Sequence, residues 1–262
     1  MINIIKSMNY QTRNDIFTVI TYLIAVIVQF AAMFFAEGNE PLTYTGSDFV
    51  VYMGSMIPVV CLILAFLLTC RICGWDYADR TLNYEVLSGH TRFQIYMGRI
   101  LTSILWCVMG FLVISFLPVL IFTCINGWGY TLSFSGAILR YGLMVLLLVR
   151  LVTGFAVLTF IVRNSYIAMV LGYVWTGVSA VVYFIMEEIA TFNTAVFVGW
   201  MNMVQVFTFE NSINMYIDGK DVTVFDGTIS GTFLLGTVGW SLLVILVLLP
   251  IGYRVFRKHD LR

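Results

Sequence analysis

The residues that could carry chemistry are few and scattered. Cys70-Arg71-Ile72-Cys73 has the spacing of a redox or metal-binding pair. It ends an apolar run instead of following a strand, and no second pair accompanies it. Cys61, Cys107 and Cys124 complete the five cysteines, and an odd count spread through apolar stretches reads as packing. The two histidines, His90 and His259, lie outside the apolar runs, so they cannot bind haem from facing membrane helices. There is no G-x-x-x-x-G-K-[ST] loop, no H-E-x-x-H and no G-x-S-x-G. The apolar runs hold no Asp or Glu, which argues against a proton relay built on carboxylates. Arg150 is the sharpest anomaly. A central Arg costs about 2.5–3.5 kcal/mol on the insertion scale, so it needs a partner. Helix carbonyls, an acid on a second subunit, a lipid phosphate and an anionic cargo are all open to it, and a structural role is the favoured one. A membrane chain without its own chemistry is expected to be a passive pathway or one half of an energised machine.

The elements that hold these residues are set by composition. Of 262 residues, 60% are apolar and only 11% charged, against roughly 45–50% and 25% in soluble domains. The mean hydropathy is +0.94. The bilayer must therefore solvate most of the chain, and disorder or a fibrous repeat is excluded. Net charge is zero, which leaves no basic field for nucleic acid. Six stretches approach the ~20 apolar residues that a spanning helix needs: residues 16–35, 49–70, 100–125, 137–162, 167–186 and 233–253. Pro58, Pro118 and Pro250 lie inside three of them and predict kinks. The expectation is an all-α membrane protein with a single domain over residues 1–262.

Basic residues set the expected orientation. Of the 14 Lys and Arg, all but Arg140, Arg150 and Lys220 fall on the side of the N-terminus. The other side holds Glu37, Glu40, Asp48, Glu187, Glu188, Glu210, Asp218, Asp221 and Asp226. Both termini are thus expected in the cytoplasm of a multi-pass plasma-membrane protein. Residues 189–209 are apolar but carry Asn193, Asn202 and Gln205. A full crossing there would put the basic tail outside, so the segment reads as an outer re-entrant or interfacial hairpin between spans five and six. Ile4, Ile5, Met8 and Ile16 fall near one helical face, with Lys6, Asn9 and Arg13 elsewhere. That predicts an amphipathic helix in the membrane interface.

The loop between spans two and three is the informative one. Thr81 can cap a short helix that continues through Leu82, Tyr84, Glu85, Val86 and Leu87, and Gly89 can stop it. Arg92 follows, then an amphipathic lead-in to span three. A short helix pinned between two spans offers a surface on which a soluble partner could push; an ordinary loop helix is the plainer reading.

Asp79, then Arg80-Thr81-Leu82, then Val86-Leu87-Ser88-Gly89, then Arg92, resembles the coupling loop of ATP-binding-cassette permeases of the type-2 exporter class. The tail Tyr253-Arg-Val-Phe-Arg-Lys-His-Asp-Leu261 resembles that family's aromatic and basic ending. The resemblance extends over essentially the whole chain. Arg80 stands where many members have an acid followed by Gly, which bears on the choice of partner. The resemblance implies a separate nucleotide-binding ATPase subunit, with ATP and Mg bound there and no cofactor on this chain. It implies a coupling helix formed by Thr81–Ser88, with Tyr84, Glu85 and Leu87 on it, and a second permease chain, identical or homologous. Spans one, two and five would line the pathway, which makes Tyr22, Gln29, Met33, Tyr52, Ser55 and Met56 candidate lining residues; each of these types also serves in helix packing.

The expected function is therefore a permease subunit without ATPase activity of its own. It would export an amphipathic or apolar compound, as in drug efflux or in antimicrobial-peptide export and bacteriocin immunity. A membrane anchor or signalling module that transports nothing is the alternative. An intramembrane enzyme is disfavoured by the missing paired carboxylates and membrane histidines.

Overall fold

The computed structural model of the chain describes residues 2–35, 44–78, 87, 89–189, 200–209, 212–217 and 220–258. It is mostly helical. Five helices are long and apolar enough to cross a membrane, six if a bent N-terminal pair counts as one span.

That pair is α1 (Ile2–Asn14) and α2 (Ile16–Phe35), which meet at 66° across Asp15. Ile4, Met8 and Thr12 recur every four residues and form the buried stripe of α1. The stripe packs against protein and leaves Lys6 and Arg13 exposed, which gives α1 the two-sided character that the sequence predicts. Gly98 admits it, since a Cβ there would stand 2.9 Å from Ile4, and Trp106 Nε1 donates to Asn9 Oδ1 at 2.6 Å. Ile16, expected on the same face, is exposed at the start of α2. On α2, Thr18, Thr21, Ala25 and Gln29 turn inward while Val19, Ile20, Leu23, Ile27 and Phe30 are exposed, the one-sided pattern of a peripheral helix.

The second predicted span is not one helix. α3 (Gly46–Met53) opens with a capping box between Thr45 and Asp48. The chain then turns at residues 54–56, and α4 (Ile57–Ile63) starts with Pro58 in its first turn, where the missing N–H costs nothing. A π segment, Leu64–Leu68, leads into α5 (Thr69–Ala78). The crossing stretch is thus Ile57–Trp75, shifted toward the basic end from the expected residues 49–70. The third span is α6 (Arg92–Phe111), a second π segment Leu112–Phe116, and α7 (Leu117–Asn126) with Pro118 in its first turn. The π segments are single wide turns inside these helices. Their carbonyls take side-chain donors from facing helices: Cys107 Sγ reaches Leu64 O at 3.4 Å and Tyr141 Oη reaches Ser115 O at 3.3 Å.

α8 (Phe134–Val162), buried along much of its length, is the central helix. It ends where Arg163 adopts a left-handed backbone (φ 58°). Asn164 then caps α9 (Ser165–Ile189) through the Tyr166 and Ile167 amides. α11 (Gly231–Lys258) lies along α8, burying Thr237, Ser241, Gly252 and Phe256 and exposing most of the rest.

Between α9 and α11 lie α10 (Met201–Val206) and an antiparallel hairpin, β1 (Ser212–Ile217) and β2 (Lys220–Phe225), in register from Ser212↔Phe225 to Ile217↔Lys220. The hairpin departs from the all-α expectation. Residues 190–199, about half of the predicted re-entrant segment, lie outside the described residues. Trp200 Nε1 donates to Thr176 O at 3.2 Å, near the middle of α9. Phe207 then meets Tyr141 edge-on and abuts Gly54. α10 therefore folds back between α9, α8 and the break between α3 and α4.

Candidate functional site

Two ends of the bundle are tied differently, and the end that carries α1 and the close of α11 holds the strongest candidate. The loop between α5 and α6 is only partly visible. Residues 79–86 and 88, which include Asp79, Arg80, Thr81, Leu82, Tyr84, Glu85 and Ser88, lie outside the described residues. Of the remainder, Leu87 is helical and 80% exposed, and Gly89 has φ +88°, a conformation that favours glycine.

Both flanks of this loop are fixed. On the α5 side, Arg71 Nε and Nη2 donate to Asp15 Oδ2 and Oδ1 at 2.7 and 3.0 Å. The Arg71 guanidinium lies 3.2 Å from the Trp75 ring centroid and 5.3 Å from that of Phe17. A bidentate, stacked Arg is more constrained than an ordinary surface pair. It is the only ion pair among the described residues. On the α6 side, Thr91 and Gln94 form a capping box, and Arg92 Nη1 donates to Arg257 O at 2.8 Å near the end of α11.

Beneath Arg92 sits an aromatic knot. The Tyr96 ring contacts Phe160, Tyr253 and Phe256, and Phe93 meets Tyr253 edge-on. Tyr96 Oη donates to Leu249 O at 2.9 Å. Gly252 makes this approach possible, because a Cβ there would fall 2.5 Å from Tyr96 Oη and 2.7 Å from Val157 Cγ2. α6, α8 and α11 are thereby locked directly below the loop. Arg71 thus ties α5 to Asp15 at the α1–α2 elbow, and Arg92 ties α6 to α11.

The other expected site residues do not converge. Tyr22 Oη donates to Trp106 O at 2.7 Å and so serves helix packing. Gln29 is buried, and neither amide atom has a hydrogen-bond partner among the described residues. The side chain of Met33 lies outside the described set. Tyr52 is exposed and stacks on Tyr44, while Ser55 is exposed and Met56 half-buried at the break between α3 and α4. Arg150 is buried in α8, with Nη1 3.4 Å from Ser241 Oγ of α11. Cys61, Cys70, Cys73 and Cys107 are buried and reduced, and no group of metal-ligating side chains occurs among the described residues.

Sequence reasoning passed over the opposite end. There Gly46 and Ser47 amides donate to the Gly127 and Trp128 carbonyls, and Asp48 accepts from Thr131 Oγ1. The Phe225 amide joins the hairpin to Thr131 O at 2.8 Å. Arg140, buried near the start of α8, donates to Val206 O at the end of α10 and lies 4.4 Å from the Phe209 ring centroid. Asp226, exposed at the hairpin root, is held below the ordinary carboxylate range by the Thr228 amide and hydroxyl, each at 2.9 Å, and then by Arg140. The signal for the hairpin was present in Asp218-Gly219 between two alternating runs. The signal for Arg71 was a lone acid, Asp15, at the same end of the preceding span. No protein-family model and no curated sequence matches this chain.

Proposed function

We propose that this chain is the membrane subunit of an ATP-driven exporter and takes its power stroke from a separate ATPase through the loop between α5 and α6. One observation carries the reading. Leu87, in the stretch whose sequence resembles a coupling helix, stands 80% exposed between two flanks held by Asp15–Arg71 and Arg92–Arg257. In this reading Leu87 is the apolar contact that the soluble partner covers. The bracing would deliver that partner's movement to the α1–α2 elbow and to α11. In this reading the basic end and both termini are cytoplasmic, α10 is part of a re-entrant segment reached from the outside, and a second permease chain completes the pathway. The cargo would be an amphipathic or apolar compound such as a drug or an antimicrobial peptide.

The test replaces Leu82 and Leu87 with Asp together. Membrane insertion should persist, while ATP hydrolysis by the co-expressed ATPase loses its stimulation by the permease. Wild-type stimulation in the double variant would remove the coupling role. It would leave an anchor or signalling module as the surviving reading.

A further inference from the structure

The elbow between α1 and α2 encloses a cleft of about 400 Å³, within the range of small-molecule sites. Its walls include Gln11, Asn14, Asp15, Thr18, Arg71 and Trp75. Three features set it apart. First, Asp15 takes one N–H each from Nε and Nη2 of Arg71, so three of the five guanidinium N–H donors, both on Nη1 among them, remain outside that pair. Second, Thr18 is 2% exposed, and its hydroxyl has no hydrogen-bond partner among the described residues although the residue lines the cleft. A buried hydroxyl without a partner costs of the order of a lost hydrogen bond, so a ligand that accepts from it gains what the empty cleft lacks. Third, Asp15 is neutralised by Arg71, and the rest of the wall can present N–H and O–H donors: the Gln11 and Asn14 amide nitrogens, the Tyr10 and Thr18 hydroxyls and the Trp75 indole. Such a wall suits an anionic oxygen cluster.

The position of the cleft narrows the ligand. Immediately past it the outer face of α2 becomes apolar and exposed at Ile16, Val19 and Ile20. On α1 before it, Lys6 and Arg13 are exposed. A cleft at the junction of a charged interfacial helix and a lipid-facing helix lies at headgroup depth. We propose that it binds the phosphodiester headgroup of a glycerophospholipid from the leaflet on the side of the termini. Arg71 Nη1, Thr18 Oγ1 and the Asn14 amide would donate to the phosphate oxygens, with the Trp75 indole closing the site. The lipid would then be a structural ligand of the elbow, whatever the chain transports.

The test is native mass spectrometry of the full-length chain, without any ATPase, released from mixed micelles. One lipid is phosphatidylglycerol; the other is a diglucosyl diacylglycerol with the same acyl chains and no phosphate. The wild type should retain phosphatidylglycerol through activation that strips the glucolipid. Thr18→Val combined with Asn14→Ala should reduce that retention roughly tenfold with an unchanged thermal melt. If the Thr18 variant misfolds, Gln11→Ala with Asn14→Ala, both at exposed positions, carries the same comparison. Equal retention of both lipids, or variants that hold phosphatidylglycerol as the wild type does, would overturn the proposal. Displacement of the lipid by millimolar inorganic phosphate would also overturn it and assign the cleft to a soluble phosphate. None of these readouts involves ATP hydrolysis, so they stand or fall apart from the coupling role.

Discussion

Arg150 and Ser241 show how one residue at membrane depth depends on another ninety-one positions away. The arginine was conspicuous in the sequence because a charge in an apolar run is costly. Its partner was not, since a serine among leucines and valines has no distinguishing pattern. The contact places Arg150 at the α8–α11 interface. A double-mutant cycle measures this directly. Ser241→Ala leaves a buried guanidinium with one bond fewer and should lower stability by about 1–3 kcal/mol. Arg150→Met removes the charge together with its desolvation cost. The two changes should therefore be non-additive, with a coupling of about 0.5–3 kcal/mol in detergent unfolding. Additive effects would separate the two side chains. Gln29 presents the opposite case, a buried amide that the sequence singled out and for which no partner is found among the described residues.

At the scale of elements, periodicity and run length revealed the spans, because lipid exposure demands continuous apolar surface. They did not reveal the break at residues 54–56 or the two π segments, whose carbonyls take donors from facing helices. Cys107 and Tyr141 are those donors, and neither is marked in its own stretch. The hairpin was legible in principle, with Asp218-Gly219 joining alternating strands. It was missed because the outer segment was weighed for membrane depth and not for strand period. Its root also makes a pH prediction. Asp226 titrates below the ordinary carboxylate value because the Thr228 donors and Arg140 favour the charged form. A carboxyl lowered in the folded state stabilises that state above its unfolded pKa and loses the contribution as pH falls through its folded pKa. Hydrogen exchange at the Thr228 amide should therefore stay protected at neutral pH and lose protection only in acid below the normal Asp range. Asp226→Asn should show weaker protection without that acid step. An unchanged acid step in the Asn variant would assign it to another group.

For the whole molecule, the basic residues predict the sidedness and the contacts sort the chain into two ends. Asp15, Arg71, Arg92 and Arg257 meet at one, and Asp48, Thr131, Arg140 and Phe225 at the other. In a background lacking the native cysteines, Gly219→Cys should react with an impermeant thiol reagent in intact cells, and His259→Cys should react only after the membrane is opened. Labelling of both from outside would mean that the segment before the hairpin crosses completely.

α11 supplies Ser241 to Arg150, the Arg257 carbonyl to Arg92 and the Leu249 carbonyl to Tyr96. The ribosome makes it after every helix it touches. During synthesis, then, Arg150, Arg92 and Tyr96 are all in place before the α11 atoms they bond have been translated. A chain cut before α11 lacks all three of those bonds at once, so the order of synthesis makes the bracing of the loop the last of these contacts to form.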